Sequence, residues 1–73
     1  MRLPLLSSKE LIKILAKIGY APVRQKGSHI RLVCADRPPI TIPDYRAIDR
    51  SLIKRILRQA NLNDDDFLDI MRR

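Results

Sequence analysis

Apolar residues recur at helical spacing in two stretches of the chain and alternate with polar ones between them, so the order helix, strands, helix is legible from periodicity alone. Leu11, Ile12, Leu15 and Ile18 occupy the i, i+1, i+4 and i+7 positions of a buried stripe. Ser7 and Glu10 have the spacing of a capping box, and Leu6 and Leu11 stand where a hydrophobic staple would form. Gly19 suits the left-handed residue that ends a helix. A first helix is therefore expected over about residues 8–18, with Lys9, Lys13 and Lys17 on its outer face.

Tyr20 to Gln25 and His29 to Ala35 read as strands, the second with Ile30, Leu32 and Cys34 on one face and His29, Arg31 and Val33 on the other. A two-residue turn at Lys26-Gly27 would set Gln25 against Ser28, Arg24 against His29 and Val23 against Ile30. Pro22 assigns the first strand to an edge. Asp36-Arg37-Pro38-Pro39 reads as a turn, Ile40-Thr41-Ile42 as a third strand stopped by Pro43, and Asp44 to Ile48 as a loop before a cap at Asp49.

Leu52, Ile53, Ile56, Leu57 and Ala60 form the second helical stripe, expected over about residues 50–60, with Arg50, Lys54, Arg55 and Arg58 outward. Asn61 can take the left-handed terminal conformation, and Asn63 can cap a short last helix whose Asp64, Asp65 and Asp66 suit the positive end of its dipole. Burying these stripes together gives an α+β fold of order α-β-β-β-α(-α). Its simplest form is an antiparallel three-stranded meander with both main helices on one face. Residues 1–73 are read as one domain.

At 73 residues, the chain has no room for a deep, enclosed cofactor pocket. Residues 1–63 carry a charge of +9 and residues 64–73 a charge of −2, so the body of the molecule attracts polyanions at long range. Nucleic acid or an acidic protein is the expected partner. One cysteine, Cys34, excludes an intramolecular disulfide, and zinc would need more Cys and His ligands than the sequence holds. The apolar start Leu3-Pro4-Leu5-Leu6 is too short for a secretory core or a membrane span, which points to a reducing cytoplasm.

The sole histidine, His29, closes the run Arg24-Gln25-Lys26-Gly27-Ser28-His29. An imidazole, with an unperturbed pKa of about 6.5, can take or give a proton near neutrality, which suits phosphate chemistry among cations. On these residues alone, a hairpin tip with a solvated ring is the better explanation of the run. The order of elements, the Lys26-Gly27-Ser28-His29 turn and the segment Leu52-Ile53-Lys54-Arg55-Ile56-Leu57-Arg58-Gln59-Ala60-Asn61-Leu62 together resemble the HicA toxin family, from Ser7 to about Leu68.

That resemblance implies a double-stranded-RNA-binding-domain-like fold, cleavage of mRNA, and neutralisation by a HicB-like antitoxin. It implies His29 as the catalytic residue, Gly27 and Ser28 as its motif companions, and Arg24, Gln25 and Lys26 as a matching polar lead-in. Many relatives continue from the proline after the third strand into a histidine-containing stretch, whereas Asp44-Tyr45-Arg46 follows Pro43 here. His29 therefore has no imidazole partner.

The expected chemistry requires neither metal nor cofactor, because RNA carries its own nucleophile in the 2′-hydroxyl. His29 would act as base, Arg24 and Lys26 would stabilise phosphoryl charge, and Gly27 and Ser28 would hold the phosphate through turn amides and the hydroxyl. Lys54 and Arg58, by analogy with the fold, would grip the RNA backbone. Like-charged rows at i, i+4 spacing destabilise a helix unless a partner offsets them. The alternatives are a non-catalytic RNA-binding module of the same fold and an adaptor that binds only an acidic protein. Tyr45 is expected to cover the edge of the core, with stacking on one base as the alternative, and Cys34 to be buried and inert.

Overall fold

The computed structural model describes residues 3–73, and the capping box predicted at its start is formed. Ser7 Oγ accepts from the Glu10 amide at 3.1 Å, and the Ser7 amide donates to Glu10 Oε1 at 2.9 Å, opening α1 (Ser8–Ala16). The Ser7 backbone amide and then its hydroxyl hold the Glu10 carboxyl below its ordinary range. The helix ends earlier than periodicity suggests, with Lys17 as C-cap and Gly19 at φ +106° turning the chain into the sheet.

Three strands follow, β1 (Ala21–Lys26), β2 (His29–Cys34) and β3 (Arg37–Pro43), as an antiparallel meander in the order β1-β2-β3. Then come α2 (Arg50–Gln59), capped by Asp49, and α3 (Asp64–Met71), capped by Asn63. Asn61 takes φ +60°, the left-handed link between these helices. The fold is the expected α+β arrangement, compatible with a double-stranded-RNA-binding-domain-like architecture.

β2 is central, and alternation sends its residues to two destinations. Ile30 and Leu32, with Ile40 and Ile42 of β3, face the buried residues Leu11 and Leu15 of α1 and Ile53, Ile56 and Leu57 of α2. Phe67, Leu68 and Ile70 of α3 complete that core. His29, Arg31 and Val33 point to the uncovered face.

The pairing of β1 with β2 differs from the expected one. The turn residues are Gly27-Ser28, not Lys26-Gly27, so Lys26 rather than Arg24 lies opposite His29, and Arg24 lies opposite Arg31. Gly27 takes φ +59° at the first central position and Ser28 has no positive φ, the pattern of a type II′ turn. Between the bulge and the turn, each residue of β1 is thereby paired two positions further along β2, so Arg24 and His29 still share a face. Val23 does not oppose Ile30; it is the extra residue of a bulge between Pro22 and Arg24 and is 57% exposed.

β3 also begins earlier than expected. The turn is Ala35-Asp36, and Arg37, Pro38 and Pro39 already belong to the strand. A second register shift between Leu32 and Cys34 falls here, on an edge strand, where proline forfeits no ladder hydrogen bond. The Pro38 carbonyl instead accepts from the Tyr20 hydroxyl at 2.7 Å. Burial, chiefly, raises the Tyr20 pKa. Cys34 is half-buried rather than fully buried, and its thiol donates to Asp36 Oδ1 at 3.1 Å.

Three cations are spent on the fold. Arg37 Nη1 donates to the carbonyls of Ala60 at 3.0 Å and Asn61 at 3.3 Å, at the C-terminal end of α2. Lys17 Nζ does the same for α3, reaching the Arg73 carbonyl at 2.8 Å. Both satisfy the negative end of a helix dipole. Arg50 Nε donates to the Leu3 carbonyl and anchors the N-terminal segment beside α2.

Burial sets a stability contrast. Leu32→Ala, at a fully buried position, is expected to cost about 2–5 kcal/mol in urea unfolding. Val23→Ala, at the exposed bulge, is expected to stay within about 0.5 kcal/mol. Equal losses at the two sites would contradict the register described here.

Candidate RNA-binding and catalytic face

The open face of the sheet gathers Arg24 and Lys26 from β1, His29 and Arg31 from β2, and Thr41 from β3 around a hollow of 290 Å³. Alternation explains the gathering. Lys26 faces His29 across the ladder, Arg24 faces Arg31, and Thr41 pairs with Arg31 from the other side. Residues directly opposite in an antiparallel pair share a face, so four nitrogen-bearing side chains converge.

Like charges placed opposite each other destabilise a sheet. Among the described residues, no acidic side chain lies within ion-pairing distance of Arg24, Lys26 or Arg31. Positive charge without an internal partner among the described residues, on a face that no helix covers, attracts anions. His29 is exposed there and makes no side-chain hydrogen bond among the described residues, so both ring nitrogens are available to a ligand.

Arg31 and Thr41 were not among the residues expected at the site. The signal for Arg31 was present, since it lies two residues from His29 on the same strand. Thr41 needed the β2-β3 register, which pattern alone left open.

The hairpin tip is braced from behind. Asp44 follows β3, and its amide donates to the Ser28 carbonyl at 2.8 Å. Its carboxylate accepts from Gln25 Nε2 and from Ser8 Oγ, at 3.1 and 3.0 Å. Gln25 Nε2 also donates to the Gly27 carbonyl at 3.1 Å. Through Asp44 the turn beside His29 is tied to the first residue of α1. A Cβ at Gly27 would meet nothing within 4 Å, so glycine serves the backbone angle rather than a close approach.

The remaining expected site residues lie elsewhere. Lys54 and Arg58 are on the outer face of α2, across the helical layer from the open sheet face, beside a separate hollow with Leu62, Asn63, Asp64 and Asp65. Lys54 is ion-paired with Asp64 at 3.3 Å. Asp64, Asp65 and Asp66 sit in the first turn of α3. Among the described residues no group of three or more His, Cys, Asp or Glu side chains is placed to hold a metal ion. None of the helices described is long and apolar enough to cross a membrane.

The family model described as HicA toxin of bacterial toxin-antitoxin matches residues 8–62. The matched span runs from the first residue of α1 to the residue before the α3 cap, and so contains the whole open face. Neither a curated protein nor a solved structure gives a significant match.

The brace makes a specific demand on Asp44. Asp44→Ala strands the Ser8 hydroxyl, whose residue is only 3% exposed. The expected loss is about 1–3 kcal/mol in urea unfolding, together with faster amide exchange at Gly27, Ser28 and His29. Exchange at those amides as slow as in the parent would show that Asp44 does not hold the turn.

Proposed function

The chain belongs to the HicA family, toxins of bacterial toxin–antitoxin systems, and on that premise we propose that it is an endoribonuclease that cleaves mRNA with His29 as its acid–base residue. The observation that carries the reading is the position of His29. It is the exposed end of the central strand, opposite Lys26 and flanked by Arg24 and Arg31, on a face without counter-charge among the described residues.

RNA brings its own nucleophile to such a face. His29, neutral, withdraws the proton of the ribose 2′-hydroxyl, and the oxygen attacks the adjacent phosphorus. The P–O5′ bond breaks, leaving a 2′,3′-cyclic phosphate on one product. The departing 5′-oxygen takes a proton from water, since the chain has no second imidazole, and His29 returns its proton to the hydroxide so formed. No metal or cofactor enters this sequence of steps.

Arg24, Lys26 and Arg31 oppose the negative charge that builds on the phosphoryl oxygens, where fixed cations are most effective in the transition state. The Ser28 hydroxyl and the turn around Gly27 are suited to a phosphate oxygen through hydrogen bonds. Lys54 and Arg58 contact RNA only where it extends past the α2 side of the molecule. They therefore add salt-sensitive affinity and take no part in the chemistry.

A HicB-like antitoxin neutralises the toxin by covering the open face with an acidic surface. The same cations that attract RNA attract that partner, and the two compete. Such a pair works where mRNA is translated, in the cytoplasm.

The decisive assay incubates labelled single-stranded RNA with the protein and with His29→Ala. The variant is expected to lose cleavage while binding within about threefold of the parent, because the phosphate contacts come from other residues. The all-deoxy strand is expected to remain intact. Full cleavage by His29→Ala, or efficient cutting of the deoxy strand, would overturn the mechanism. RNA bound but never cut by the parent protein would leave a binding module.

A further inference from the structure

We propose that the hollow beside the hairpin tip, lined by Ser7, Ser8, Lys9, Asp44, Tyr45 and Arg46, is a nucleotide subsite. In it Tyr45 stacks on an unpaired base, and Lys9 and Arg46 hold the accompanying phosphate. The proposal rests on RNA being the ligand of the open sheet face, and it extends that track by the neighbouring nucleotide.

Tyr45 is 50% exposed, whereas Tyr20 and Phe67 are 2% and 0% exposed. An aromatic ring left in water forgoes the burial that would stabilise it. The expected covering of the core edge is therefore not its role. Loose backbone does not explain the exposure either. The Tyr45 carbonyl accepts from the Ser8 amide at 2.9 Å, and its amide donates to the Pro43 carbonyl at 3.0 Å. A ring carried on a pinned backbone offers a stacking surface whose ordering cost is small on binding.

The surroundings suit a nucleotide. The hollow encloses 390 Å³. Lys9 and Arg46 are exposed, and among the described residues no carboxylate lies within ion-pairing distance of either. Asp44, the acidic residue in the lining, has its carboxylate oxygens engaged by Ser8 and Gln25. By contrast, the larger hollow between α2 and α3 presents Asp64 and Asp65 to its occupant and ties up Lys54 in an ion pair, which disfavours a polyanion.

The location links the subsite to the reacting face. His29 pairs across the ladder with Pro43, and the Asp44 amide is bonded to the Ser28 carbonyl. Tyr45 comes two residues after that partner, at most about 7 Å further along the chain. RNA that leaves the His29 face over the end of β3 meets this ring next. Every base has a π face, so the contact adds affinity with little sequence choice. Paired bases are stacked within their helix and cannot reach the ring, so single-stranded RNA is selected.

The test places Tyr45→Trp in a His29→Ala background, where the new indole is the chain's sole tryptophan. A single-stranded RNA hexamer of mixed sequence is titrated, and tryptophan emission is followed beside the anisotropy of labelled RNA. Quenching is expected to saturate with the same Kd as the anisotropy. In the same background, Tyr45→Ala is expected to weaken binding by about 5- to 100-fold, and Tyr45→Phe to keep parental affinity.

Emission unchanged at RNA saturation, or Tyr45→Ala affinity within twofold of the parent, would overturn the subsite. These readouts do not depend on cleavage. If the wild-type protein never cuts RNA but the Tyr45 effects are found, the subsite stands and the nuclease reading falls. If cleavage requires His29 and Tyr45→Ala is neutral, the subsite alone falls.

Discussion

The central strand has only two faces, and the rest of the molecule follows from how they are used. Ile30 and Leu32 must be buried, and the helices that bury them occupy one side of the sheet. His29 and Arg31, at the intervening positions, are thereby committed to the other side. A one-residue slip would drive an imidazole and a guanidinium into the core and expose both aliphatic residues. The hydrophobic requirement of the fold and the exposure of the histidine are one constraint.

The positive charge of the chain divides into groups with different work. Arg37, Lys17 and Arg50 are tied to backbone carbonyls and hold helix ends and the N-terminal segment in place. Lys54 is balanced by Asp64, so the acidic last helix neutralises part of the α2 row. Arg24, Lys26 and Arg31 have no such partner among the described residues, and they surround His29. Composition records only the sum, whereas placement separates structural cations from those on the open sheet face.

Much of this was legible in the sequence. The capping box at Ser7 and Glu10, the stripes of α1 and α2, the left-handed Gly19 and Asn61 and the alternation of β2 all follow from local rules that tertiary contacts reinforce. What escaped depended on non-local facts. Lys26-Gly27 and Gly27-Ser28 both make acceptable two-residue turns that send the same residues to each face, and no alternation announces the bulge at Val23. Pro38 and Pro39 read as chain breakers because their place on an edge strand, beside a register shift, emerges only when the sheet is assembled. Lys17 looked like part of a solvated row because its partners lie more than fifty residues away, at the end of α3. That His29, Arg24 and Lys26 lie together was legible from the motif, while the brace at Asp44 needed three-dimensional contacts.

The central claim is that RNA lies across the open face, with His29 at the linkage to be broken. Nuclear magnetic resonance with a 2′-O-methyl RNA strand, which lacks the attacking hydroxyl and survives the titration, tests it most directly. The account predicts that the His29 ring resonances and the amides of Arg24, Lys26, Arg31 and Thr41 shift together with a single Kd. Shifts confined to the outer face of α2 around Lys54 and Arg58, with the His29 ring unmoved at saturation, would contradict it.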